Sequence, residues 1–512
     1  MSDASSGRLF RNDRPIRLGI WGLGRGGSFY ETCKFLNLDV VAGCDYNQHM
    51  RERFTQAFGE AYVTDSADEF LARDDVDAVL LATYCTEHAE DAIRCLEAGK
   101  HVISEVTAFH TMAEGVRLVE AVERTGLVYN LAENYPFTAA NMWLARQWAQ
   151  GLFGELMYAE YEYVHECRSL CYTYIDGEPV VPGSQAHYWR SWLDGHYYDT
   201  HSLGPMMHIT GLRPTRVVAL PGHQMLPGYP LRDRPEAGGI APSLISMSNG
   251  SVVRNLMGAT TNDAHQQRIW GTKAAAEIVD GQLRVRLGGA GGAPRHVIEP
   301  HWDELGEFAA TTGHGGGDFW VLYYFVRQIL DGEAAPFDVY GAAHVTIPGI
   351  LARRSALANG TPYDIPDFRH QAQREPYRDD HAAQERFDHV KGLFGEARND
   401  PLAQQFARTM RDLIGLALAY RSYRDCRRVV ADLQSPQEAI ALADQLIEAL
   451  PRLQEMQRTA RRIVDAYPTT TAARLLREML ERSDEETTSR GDFAAALAEE
   501  RVELAASLEA QG

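Results

Sequence analysis

Short apolar runs alternate with amphipathic stretches along the first quarter of the chain. Apolar segments at residues 16–21, 39–44, 78–82, 101–104 and 127–131 have strand length, and helical spacing fills the gaps between them. Such alternation predicts a doubly wound parallel α/β sheet with crossover helices on both faces. A helix over residues 138–150 leaves this unit. After Gly154 the period falls to two: residues 156–165, 216–220, 244–248, 251–257 and 275–279 predict an open, mainly antiparallel sheet, with a helix over 319–330 packed on it. The texture changes again near Arg369. Only five of the 44 glycines and none of the eight tryptophans lie beyond residue 370, and residues 439–450 and 472–480 have helical spacing. Asp400-Pro401 and Ser435-Pro436 read as N-cap and first-turn pairs, with Glu438 closing a capping box. The expected order is a polar tail (1–15), an α/β domain (16–135), an α+β domain (136–369) and a helical extension (370–512).

Charge and cysteine content narrow the function classes. With 70 acidic and 50 basic residues the formal charge is −20, which argues against nucleic acid, since phosphate binding needs a basic face. No apolar run is long enough to span a bilayer, and residues 1–15 lack the apolar core of a secretory signal. Seven scattered cysteines without a CxxC pair fit reduced thiols. A cytoplasmic protein without membrane or nucleic-acid partners is expected.

The α/β domain opens on a dinucleotide-type turn. Gly22, Gly24 and Gly27 follow the first strand and precede a helical segment, and Asp45 ends the next apolar run. The first glycine permits the tight turn, the second lets the backbone approach a pyrophosphate, and the third allows close helix packing. Helix N–H groups then face the phosphates. Asp45 would accept the ribose hydroxyls and repel a 2′-phosphate, so NAD is expected over NADP. The sheet is then a Rossmann fold.

The segment Gly99-Lys100-His101-Val102-Ile103-Ser104-Glu105-Val106-Thr107 resembles the GKHVxxEKP strand end of the Gfo/Idh/MocA oxidoreductases, and Thr83 with His88 resembles their TPNxxH loop, although Tyr84 and Cys85 replace Pro and Asn. Val106 stands where that family carries its proton-transferring lysine. A valine there is similar to one branch, the NAD-dependent glycosidases of glycoside hydrolase family 109. Residues 150–156 (QGLFGEL), 162–168 (EYVHECR, like GAYIHDLR), 188–190 (YWR), 198–205 (YDTHSLGP, like YPTHGLGP) and 314–319 (HGGGDF, like HGGxD) extend the likeness over residues 16 to about 369.

The resemblance implies oxidation of C3 of a sugar by NAD, loss of the C2 proton, elimination at C1, addition of water and re-reduction at C3. It implies catalytic roles for Tyr163, His201 and Tyr198. Cofactor contacts would come from Gly22, Leu23, Gly24, Arg25, Gly26, Gly27, Asp45, Thr83, Tyr84, His88, Glu105, Val106, Glu133, Trp189 and Arg190. Substrate contacts would come from His165, Arg168, Tyr188, His314 and Asp318. His201 can exchange a proton near neutral pH, whereas a tyrosine, with an ordinary pKa of about 10, needs a relay or a depressed pKa.

Plainer structural roles compete with these. Tyr163 and His165 can be a sheet-face pair, His201 can cap a helix, and Trp192 in the aromatic stretch 188–198 can be core. His187, His196, His201 and His208 lack HExxH spacing, so no metal is expected. The expectation is an NAD-dependent glycosidase acting on a carbohydrate, as a homo-oligomer; a sugar or inositol dehydrogenase and a non-catalytic NAD or sugar sensor are the alternatives.

Overall fold

The computed structural model describes residues 9–12, 14–36, 38–172, 174–175, 178–179, 185–187, 189–191, 193–229, 239–259, 263, 265–301, 304–384, 392–433, 435, 437–487 and 493–509. Internal contacts divide the chain into two compact units. The first comprises Met1–His165, Leu193–Gln224 and Pro235–Glu385; the second comprises Glu166–Trp192, Met225–Arg234 and Arg386–Gly512.

In the first unit, strands β1 (Arg17–Trp21), β2 (Asp39–Cys44), β3 (Tyr62–Thr64), β4 (Ala78–Leu81), β5 (His101–Ser104) and β6 (Tyr129–Leu131) form a six-stranded sheet in the order β3-β2-β1-β4-β5-β6. Every pairing is parallel. All four residues of β4 are buried, as expected of a central strand covered on both faces. The chain reverses direction across the sheet between β1 and β4, which opens a crevice at the carboxyl ends of the strands. Helix α1 (Met112–Thr125) starts at a capping box of Thr111 and Glu114 and ends at left-handed Gly126.

The second sheet of this unit contains β7 (Leu156–Val164), β8 (Pro214–Ala219), β9 (Ile240–Met247), β10 (Val252–Gly258), β11 (Gln267–Gly271), β12 (Ala275–Val279), β13 (Gln282–Arg286), β14 (Arg295–Ile298) and β15 (Tyr363–Asp364). Their order is β14-β13-β12-β11-β7-β10-β9-β8-β15. Only β7 and β10 run parallel among these pairings. Ala159, Tyr161 and Tyr163 on β7 share a buried face, as a period of two requires. Helices α2 (Thr200–Thr210), α3 (Gly317–Asp331) and α4 (Val339–Leu357) belong to this unit, and α4 packs against β8, α2 and α1.

The boundary expected near residue 370 falls instead at Glu385. Residues 370–384 are tied to the first unit by ion pairs: Arg374 with Glu123, Arg378 with Glu120, and Arg354 with Asp380. The Ala113 N–H also donates to the Asp380 carbonyl at 3.0 Å. Charged residues of this stretch thus make long-range pairs.

The second unit is built on helices α5 (Phe406–Arg428), α6 (Gln437–Ala466), α7 (Thr471–Thr487) and α8 (Phe493–Glu509). Tyr420, Tyr423, Ala443, Leu446, Leu450 and Leu497 form a core between them. Tyr172 from the segment Glu166–Trp192 stacks edge-on against Phe406 and donates its hydroxyl to the Gly228 carbonyl. The helical extension therefore carries two segments from the middle of the chain, which its composition could not announce. Pro436 lies outside the described residues; the Glu438 N–H donates to the Ser435 carbonyl.

Candidate active site

The turn after β1 is shaped by the absence of side chains. Gly22 has φ 95°, and a Cβ there would lie 2.2 Å from the Ala82 carbonyl oxygen. A Cβ on Gly24 meets nothing within 4 Å, leaving open the face a pyrophosphate would approach. Close packing falls to Gly26, whose added Cβ would lie 2.7 Å from Ile20 Cγ2; at Gly27 the nearest atom is 3.8 Å away. The sequence pattern gave that role to Gly27, and the structure moves it to Gly26. The reason is that the expected helix is short here, with Leu23–Gly26 passing into a 3₁₀ turn, Gly27–Phe29.

Asp45, buried at the end of β2, accepts from the Leu23 N–H (2.7 Å) and the Asn47 N–H (2.8 Å). Burial raises its pKa, and these amides oppose the shift. His88 is fully buried and donates Nδ1–H to the Thr107 carbonyl at 2.8 Å, with Nε2 3.2 Å from the Thr83 carbonyl. It ties the loop after β4 to the loop after β5, and burial lowers its pKa, so the ring stays neutral. Thr83 donates its hydroxyl to Asp91, and the Tyr84 hydroxyl meets that of Tyr46. These residues form a cradle at the carboxyl edge of the sheet that fits a dinucleotide.

Glu105 follows β5 beside buried Val106. Its Oε1 lies 2.9 Å from Arg25 Nε in the glycine turn. Arg25 in turn grips Asp318 with both terminal nitrogens, Nη1 to Oδ2 at 2.9 Å and Nη2 to Oδ1 at 2.8 Å. Asp318 also accepts from Asn134 Nδ2 (2.9 Å) and from His314 Nδ1, 3.1 Å from each oxygen. Burial alone would raise the Asp318 carboxyl, but the hydrogen bonds from Arg25 and His314 outweigh it and hold the pKa well below the carboxylate range. Asp318 was expected to contact substrate; with a fully buried side chain it serves the glycine turn instead. His314 is partly exposed, its ring 6.3 Å from that of Tyr135.

Titratable side chains gather on β7, α2 and the segment after β6. His201 Nδ1–H donates to Glu133 Oε1 at 2.8 Å, so Nε2 is the ring nitrogen that faces away from this bond. Gly204 lets α2 approach Glu133, since a Cβ there would lie 2.8 Å from Glu133 Cγ. Around His201 stand Tyr135, Tyr163 and Tyr198, with ring centroids 4.6, 4.7 and 4.9 Å away. Tyr135 is hydrogen-bonded to Tyr163, and burial together with that bond holds its pKa far above the ordinary phenol value. Tyr135 therefore remains protonated and donates to the Tyr163 oxygen. His265 lies 4.9 Å from Tyr163 and is held neutral chiefly by burial. His165, just past β7, donates Nδ1–H to Asp263 Oδ1 at 2.5 Å.

The structure thus brings together Tyr163, Tyr198, His201 and His165. Glu133, expected at the cofactor, sits on His201. Tyr135 and His265 were missed; the signal for Tyr135 was its place just beyond a parallel strand's carboxyl end, where ligands bind. Arg168, Trp189 and Arg190 belong to the second unit. There Arg168 bonds Glu166 and the Pro227 carbonyl, and Arg190 stacks over Trp189. Tyr188 and Trp192 lie outside the described residues. The histidines of this stretch are dispersed: His196 pairs with Asp194, and His208 packs on Phe137.

Residues 16–133 match the oxidoreductase family with an NAD-binding Rossmann fold, and residues 296–374 match the glycosyl hydrolase 109 C-terminal domain. Glycosyl hydrolase family 109 proteins from a Shewanella species and from Shewanella putrefaciens are each 28% identical over 393 residues, covering 69% of this chain and 85% of theirs. Among solved structures, a levoglucosan dehydrogenase in complex with NADH superposes with a TM-score of 0.57 at 18% identity, covering 69% of this chain and 100% of that one. An oxidoreductase domain protein from Kribbella flavida gives 0.57 at 19%, covering 69% and 99%. The glycine turn, the parallel sheet and these matches establish an NAD-dependent enzyme whose residues 16–133 are similar to the Gfo/Idh/MocA oxidoreductases and whose residues 296–374 are similar to the glycosyl hydrolase 109 proteins.

Proposed function

We propose that the enzyme hydrolyses a glycoside by a redox-neutral route: oxidation at C3, elimination across C2 and C1, addition of water, and reduction at C3. The glycine turn would hold the pyrophosphate and Asp45 the adenosine ribose. NAD supplies a hydride acceptor that is regenerated within each cycle. The observation carrying the reading is the pairing of buried Val106, which has no proton to exchange, with the His201–Glu133 dyad amid three tyrosines.

His201 Nε2 takes the C3 hydroxyl proton as the C3–H electron pair leaves, and Glu133 stabilises the resulting imidazolium. The C3 ketone acidifies the C2 proton. Tyr163, acting as a phenolate stabilised by the Tyr135 hydroxyl, accepts that proton, and the C1 leaving group departs with its bonding pair and takes up the proton that the incoming water gives up. Return of the proton to C2 accompanies addition of water at C1. Tyr198, edge-on to His201, positions the oxidised hydroxyl, and a carbohydrate is the substrate class. The family matches to glycosyl hydrolase 109 support this reading.

The rival is a sugar dehydrogenase, because a His–Glu dyad suffices for alcohol oxidation and the levoglucosan dehydrogenase shares the fold. A panel of aryl glycosides separates the two. Phenol release with no accumulated NADH supports hydrolysis; stoichiometric NADH from free sugars without phenol release contradicts it.

A further inference from the structure

The ion-pair chain Asp318–Arg25–Glu105 is not used by the proton chemistry above, yet it is built with care. Gly317 begins α3 where a Cβ would lie 2.4 Å from the Asn134 carbonyl oxygen, so the helix start can rest directly on that backbone. A Cβ on Gly313 would lie 2.3 Å from Asp318 Oδ2. Gly313 therefore clears space for the carboxylate that reaches Arg25 in the glycine turn, and Gly317 lets its helix sit against Asn134, which bonds that carboxylate. Arg25 links that turn to Glu105 at the end of β5, and its charge is spent on two carboxylates rather than left free for a phosphate. Asp318 also accepts from His314, whose ring lies 6.3 Å from that of Tyr135, itself 4.6 Å from His201. The chain thus lies between the turn that takes the pyrophosphate and the dyad that takes the substrate proton. A cofactor spanning those two points passes alongside it.

With His314 neutral and both carboxyl groups ionised, two carboxylates and one guanidinium leave a net charge of minus one. The oxidised nicotinamide ring is a cation and the reduced ring is neutral, so the two forms feel this charge differently.

We infer that Asp318 is a positioning residue that holds Arg25 against Glu105, and that the three side chains form a net-negative cluster favouring bound NAD⁺ over bound NADH. The inference rests on NAD binding alone, independent of the glycosidase reading. A site biased toward the oxidised form suits a cycle that starts and ends with NAD⁺.

The test compares dissociation constants for NAD⁺ and NADH, by calorimetry and by dihydronicotinamide fluorescence, in the full chain without substrate. Removing one unit of negative charge at partly buried range should change the ratio of the two constants by about tenfold. Asp318→Asn should therefore raise Kd(NAD⁺)/Kd(NADH) about tenfold relative to the parent. Glu105→Gln, at a less enclosed position, should move the ratio the same way if Asp318→Asn does not fold. Arg25→Gln should move it in the opposite direction. Equal weakening of both cofactor forms in the carboxylate variants, with the ratio unchanged, would show that the cluster only braces the fold. Equal weakening in Arg25→Gln would show that Arg25 binds phosphate, and either result overturns the inference.

Discussion

Asp45 shows how one side chain can hold its own loop and still address a ligand. Its carboxylate accepts from two backbone amides while each oxygen retains a further lone pair for a ribose hydroxyl. Asp45→Ala should weaken NAD binding about ten- to a hundredfold and relax discrimination against NADP, from loss of a charge-assisted hydrogen bond of roughly 1.5–3 kcal/mol. Titration of both cofactors checks this; unchanged affinities would assign Asp45 to the loop alone. Asp199 gives a residue-level prediction of another kind. It stands where the YPTH pattern has proline, and burial raises its pKa to about 7 despite His196 and Asn255. The folded state keeps a proton that the unfolded chain releases near pH 4. Its contribution is complete below that point and is lost as pH rises through 7, by about 1.4 kcal/mol per pH unit. Asp199→Asn should therefore raise Tm at pH 8 and leave it nearly unchanged at pH 4, as scanning calorimetry would show.

Elements were legible where hydrophobic period and length agreed. The segments at 16–21, 39–44, 78–82 and 101–104 are strands of the parallel sheet, because central strands need continuous apolar runs. Edge strands escaped: Tyr62–Thr64 and Tyr363–Asp364 are short, and β14 exposes three of its four residues, so none displays a clean period. The glycine turn was legible as a motif but not in its detail, since sequence spacing cannot tell which glycine touches the sheet. Gly26→Ala should cost about 1–3 kcal/mol by overpacking Ile20, while Gly27→Ala should be neutral or slightly stabilising. Denaturant melts of the two variants compare them directly, and equal losses would return the packing role to Gly27.

At the scale of the whole molecule, the sequence separated the two sheets from the helical extension but not the route of the chain between units. Arg168, Trp189 and Arg190 carry motif likeness, yet their contacts cluster with helices more than two hundred residues later in the chain. Local pattern contains no information on such returns. The triplet Tyr163, Tyr198 and His201 was recoverable because its members lie in distinctive motifs; Tyr135 and His265, flanked by less distinctive residues, became visible only as rings around Tyr163. The central claim is that this assembly abstracts a proton from C2 without net redox change, and isotope exchange at that carbon tests it most directly. With an accepted aryl glycoside in heavy water, the released sugar should carry deuterium at C2 while no NADH accumulates, and Tyr163→Phe should suppress both exchange and phenol release. Glycoside cleavage that leaves the C2 proton in place, in a product analysed by proton NMR, would contradict the account.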